Sequence, residues 1–72
     1  MRYTKVKTIV SNGAVQTFPF GSIESGLEES MRRTRAVYEG QVAVLSVEET
    51  DNTLVVFFEN GNVNIFNWVE ES

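Results

Sequence analysis

Apolar and polar residues alternate with a period of two near both ends of the chain and recur at helical spacing only in between. Residues 2–10 and 14–18 flank Ser11-Asn12-Gly13. An Asn-Gly pair suits the two-residue type I′ loop, whose positive φ angles match the twist of a β-hairpin. With Asn12-Gly13 as that loop, Val10 faces Val15 and Thr8 faces Thr17. One face of the hairpin then carries Val6, Thr8, Val10, Val15 and Thr17, and the other Tyr3, Lys5, Lys7, Ile9, Gln16 and Phe18. Pro19 has no N–H to give to a ladder, so it is expected to end the second strand, with Phe20-Gly21-Ser22 as a connector.

Ser25, three residues before Glu28, reads as a capping box, and Gly40 suits the left-handed position just past a helix end near Glu39. Leu27, Met31, Thr34 and Tyr38 form a thin apolar stripe, so this helix depends on packing against a sheet. Glu28–Arg32, Glu29–Arg33 and Arg35–Glu39 stand four residues apart and can pair along its outer surface.

Beyond Gly40 the period returns to two. Residues 41–48 predict a third strand, Asp51-Asn52 a turn, and Asn60-Gly61 a second Asn-Gly hairpin running on to Trp68. If both turns have two-residue loops, Ala43, Leu45, Val47, Leu54, Val56, Phe58, Val63 and Ile65 share a face. Apolar and uncharged, it is the expected core. The opposite face collects Val42, Val44, Ser46, Glu48, Val55, Phe57, Glu59, Asn62, Asn64, Phe66 and Trp68. The expected fold is therefore α+β, a single small domain over residues 1–72 of order ββαβββ, with one helix packed on a curved antiparallel sheet. Were the N-terminal hairpin to fold over the mixed face, the domain would be curled or barrel-like.

Composition narrows the chemistry. A 72-residue chain buries only roughly 60% of its unfolded surface, so a partner or second copy would add needed stability. There is no cysteine and no histidine, which removes thiolate metal sites, disulfides and the commonest general base. The first residues lack the apolar run of a signal peptide and no stretch approaches a membrane span, so a cytoplasmic setting without membrane contact is expected.

The remaining carboxylates make poor catalysts. Glu48 and Glu49 point to opposite faces of a strand, Glu70-Glu71 lie at the chain end, and Glu48 and Glu59 are out of line. Glu49, Thr50 and Asp51 form an acidic turn of the kind that is ordinarily just solvated. No glycine-rich phosphate loop occurs. The expectation is a protein that is not an enzyme and uses no cofactor or metal.

Net charge is −4, unevenly placed. All six basic residues precede residue 36, while residues 36–72 hold seven acids and no base. The acidic half suggests a protein-binding surface in which Phe57, Phe66 and Trp68 anchor and Glu48 and Glu59 set charge preference. That describes a non-catalytic binding module, such as a small acidic inhibitor from a phage or mobile element that occupies the basic groove of a nucleic-acid-handling host protein. The strand–strand–helix–strand–strand–strand order resembles that of some small anti-CRISPR proteins, a likeness of element order alone. The alternatives are a homodimer or structural homo-oligomer subunit, and a nucleic-acid-binding or regulatory protein. The latter would use Lys5, Lys7, Arg32, Arg33 and Arg35 on phosphates, with Tyr3, Phe18 or Trp68 stacking on bases. Direct nucleic-acid binding is the weaker reading, since acids on the same helix balance the arginines and the whole chain is acidic.

Overall fold

The computed structural model describes residues 2–23 and 26–71. Its elements are β1 (Tyr3–Ser11), β2 (Ala14–Ile23), α1 (Leu27–Tyr38), β3 (Val44–Glu49), β4 (Thr53–Phe58) and β5 (Val63–Glu70). The five strands form one antiparallel sheet of order β2-β1-β5-β4-β3, with the helix on one face. The expected small α+β fold of order ββαβββ is observed. The N-terminal hairpin extends the sheet through β1–β5 pairing rather than folding over it.

The first hairpin has the predicted register. Val10 pairs with Val15 and Thr8 with Thr17, and Asn12 and Gly13 both take positive φ (50° and 80°), as a type I′ loop requires. Pro19 does not end β2. It lies on the sheet's edge strand opposite Val6, and the ladder skips Phe20 before Lys5 pairs with Gly21. An edge strand with a bulge tolerates the missing N–H.

Gly26 occupies the helix N-cap without a side-chain cap bond, and the proposed cap Ser25 lies outside the described residues. Glu39 closes the helix with its N–H on the Arg35 carbonyl, and Gly40 follows at φ 95°. The buried helix residues are Ser30, Met31 and Thr34. Arg33 and Arg35 pair with Glu29 (2.8 Å) and Glu39 (3.1 Å) as the spacing predicts, whereas Arg32 reaches Glu29 at 3.9 Å rather than Glu28.

The third strand begins at Val44, not Gln41, because residues 41–43 turn away from the helix end. Its pairing skips Leu45, which is left 65% exposed, so Val44 rather than Ala43 or Leu45 joins the core side. The Asp51-Asn52 turn is a two-residue loop as expected: the Thr50 N–H bonds the Thr53 carbonyl at 2.9 Å and Val47 pairs with Val56.

The Asn60-Gly61 turn differs. The Phe58 N–H bonds the Asn62 carbonyl, and the Gly61 N–H bonds the Phe58 carbonyl, which makes a three-residue loop of Glu59, Asn60 and Gly61. Only Gly61 has positive φ (90°). This is a type I turn closed by a glycine bulge. One extra loop residue slips β5 by one position, and a one-residue slip exchanges the two faces of a strand. Leu54 therefore pairs with Phe66 and Val56 with Asn64, while Phe57 meets Val63 and Val55 meets Ile65.

The core accordingly consists of Met31, Leu54, Val56, Phe66 and Trp68, with Leu54, Val56 and Trp68 wholly inaccessible. Trp68 is fixed at its polar end by donating its indole N–H to Ser30 Oγ at 2.8 Å. Tyr38 packs on Phe58 and Phe66 at ring separations of 6.1 and 5.7 Å, and its hydroxyl accepts from Asn64 Nδ2 at 3.5 Å.

Candidate functional site

Two surfaces remain once the core is assigned. The first is the sheet face opposite the helix. Register places Val15, Val10, Val63, Phe57 and Ser46 in one row across all five strands. Thr17, Thr8, Ile65, Val55 and Glu48 form the next row, and Pro19, Val6, Asn67 and Thr53 the one after it. Its central side chains, among them Val6, Val10, Val55, Phe57, Val63 and Ile65, are only half-buried, and no described element lies over them. In these rows Glu48, on the edge strand, is the single charged residue.

This surface replaces the expected ring-and-carboxylate face. Of the anchors Phe57, Phe66 and Trp68, only Phe57 lies on it. Phe66 (3% exposed) and Trp68 (0%) sit beneath the helix, and Val63 and Ile65, expected in the core, take their place. The reason is the loop at residues 59–61: its extra residue inverts β5 relative to β4. Glu59 lies in that loop, its N–H on the Ala43 carbonyl at 2.8 Å, so it does not join Glu48 on the face.

The second surface is a cleft of about 280 Å³ on the helix side, where the helix leaves β1 and β2 uncovered. Lys5 and Lys7 project from β1, Arg33 and Tyr38 from the helix, Phe66 from the floor and Phe20 from the bulge in β2. The Lys5 ammonium donates to Thr34 Oγ1 at 2.8 Å and lies 5.2, 5.3 and 5.6 Å from the ring centres of Phe66, Phe20 and Trp68. Ring faces attract cations at these separations. Burial among the rings, and secondarily the neighbouring Lys7, hold its pKa below the ordinary lysine value. Lys7 lies 5.6 Å from the centre of the Phe66 ring.

The five basic residues expected to act together thus separate into two groups. Lys5, Lys7 and Arg33 share the cleft. Arg32 and Arg35 turn to the helix's other flank, where they meet Glu28, Glu49 and Asp51, with Arg35 3.4 Å from Glu49. There the acids outnumber the arginines. Among the residues expected to stack on bases, Tyr3 is half-buried against the core and Trp68 is sealed, while Phe18 stays exposed beside Lys7. Sequence reasoning missed Phe20, which read as part of a connector, and Ser30, whose only signal was its place one turn before Thr34.

Among the described residues, no cluster of three or more acidic or other ligating side chains is placed to hold a metal ion, and no helix is long and apolar enough to cross a membrane. No protein-family model, characterised protein or solved structure matches the chain significantly.

Proposed function

We propose that the protein is a non-catalytic protein-binding module that docks through the uncovered face of its sheet, and that the occupant best suited to that face is a second copy of the chain. One observation carries this: a five-strand surface whose central rows are valine, isoleucine, phenylalanine and threonine, with carboxylates only at its margins, Glu48 on the edge strand and Glu71 beside Ser22. Five strands about 4.8 Å apart, each about eight residues long at roughly 3.3 Å per residue, give the face on the order of 600 Å². That approaches the roughly 800 Å² per partner of a standard interface.

Charge argues for self-association. A cationic partner would be selected by carboxylates, and among the described residues those on this face, Glu48 and Glu71, lie at its margins and not at its centre. A second copy, itself acidic, would meet no like charge at the centre of the contact. The reading as an inhibitor that fills a basic groove keeps Glu48 and the acidic half of the chain as its support, with Glu59 lying off the face. It loses Phe66 and Trp68 as anchors, because both support the helix.

Sedimentation equilibrium tests the assignment. The chain is expected to run at twice its own mass at high micromolar concentration, and Ile65→Lys to run as a monomer with an unchanged far-UV spectrum. Ile65 is suited to this because it is half-buried at the middle of the face. A wild-type monomer at that concentration would remove the second copy as occupant.

A further inference from the structure

The cleft between the helix and β1–β2 is not used by the docking face, which lies on the other side of the sheet. Three cations converge there, Lys5, Lys7 and Arg33, and among the described residues no carboxylate lines it. In a chain of net charge −4 this is a local reversal of sign. Thr34 takes one of the three donors of the Lys5 ammonium, and among the described residues no other acceptor bonds it. Arg33 is steadied by Glu29 at 2.8 Å, which occupies part of a guanidinium with five donors.

The cleft also presents rings. Phe20 is 57% exposed on β2, the sheet's edge strand, which is exposed along nearly its whole length. Phe18, paired with Lys7, is also exposed but lies outside the cleft's lining. Cations next to an open ring face match a ligand that joins an anionic group to a flat aromatic one. We infer that this cleft binds a nucleotide, with the phosphate between Lys7 and Arg33 and the base against Phe20. The volume suits one nucleotide unit, whether free or part of a single strand. A long duplex is disfavoured by the acidity of the rest of the molecule.

Titration of the full chain with adenosine monophosphate, a short oligothymidylate and inorganic phosphate, followed by calorimetry and backbone amide shifts, tests the inference. Both nucleotide probes are expected to bind and to shift the amides of Lys5, Lys7, Phe20 and Arg33, with phosphate alone much weaker. Lys7→Gln and Arg33→Gln should each weaken binding about tenfold, the loss of one charge-assisted hydrogen bond. Phe20→Ala should act similarly, and Arg32→Gln, on the opposite flank, should have no effect. All four positions are at least partly exposed, so folding is expected to survive, and thermal melts verify it. Tighter, salt-sensitive binding of the oligonucleotide would identify strands as the source of the ligand, and equal binding would identify free nucleotides. The inference is overturned if neither nucleotide binds at about 10 mM, the weak end of specific recognition. It is likewise overturned if phosphate binds as well as the nucleotides, or if Arg32→Gln weakens binding as much as Arg33→Gln.

Discussion

Ser30 and Trp68 hold the core's one buried indole hydrogen bond, and its removal has a calculable cost. Ser30→Ala strands the Trp68 N–H in a site with no water access, a loss of about 1–3 kcal/mol. A chain of this size has a total stability of roughly 4–11 kcal/mol, so the variant should show a clearly lower urea midpoint. In the double variant Ser30→Ala/Trp68→Phe both partners are gone, and the combined loss should fall short of the sum of the single ones. Strict additivity would show that the bond contributes nothing. Lys5 gives a second test at this scale. Its pKa is lowered in the folded state, so between that value and the ordinary 10.5 the unfolded chain holds the extra proton. Stability should therefore rise as pH climbs toward 10.5, and the cost of burying the charge should be fully present below the folded pKa. Urea midpoints for wild type and Lys5→Met across that range test the effect by difference. A difference between the two proteins that is flat with pH would contradict it.

At the scale of the element, the loop at residues 59–61 has the largest consequences. Gly61 takes φ 90°, open space surrounds the position a Cβ would occupy, and the strain of a side chain there would come from the backbone alone. Gly61→Ala should cost about 1 kcal/mol in thermal or urea unfolding. The same loop explains where the sequence was ambiguous. Asn-Gly serves either as a complete type I′ loop, as at residues 12–13, or as the end of a three-residue loop. Alternation in β5 could not decide between them: Val63, Ile65 and Val69 favour one face, Phe66 and Trp68 the other. The contacts that settle it are long-range. The Trp68 N–H bonds the Asn52 carbonyl at 2.9 Å, and Trp68 finds Ser30 across the helix. The helix, its end at Gly40, the first hairpin and the Asp51-Asn52 turn were legible because each depends on neighbours in sequence. The bulges at Phe20 and Leu45 were not, and Phe20 is the ring that completes the cleft.

The molecule as a whole is a slab of 36 × 25 × 16 Å, a sheet with a helix on one side only. Face-to-face pairing of two copies, with sheets about 10 Å apart, would enclose the open valines between two helix layers. Such a dimer makes a prediction that separates it from the nucleotide cleft. The centre of its contact carries no charge, while each copy carries −4, so added salt mainly screens repulsion between the copies. Dimer affinity should stay constant or rise with sodium chloride, and the unfolding temperature should rise with protein concentration. Oligonucleotide binding at Lys5, Lys7 and Arg33 should weaken over the same range, since each phosphate contact releases counterions that salt restores. Sedimentation and calorimetry along one salt series read both. A dimer that dissociates as salt rises would mean that ion pairs, and not the valine rows, hold the copies together. The docking face would then have to be sought among the exposed carboxylates and arginines of the helix side.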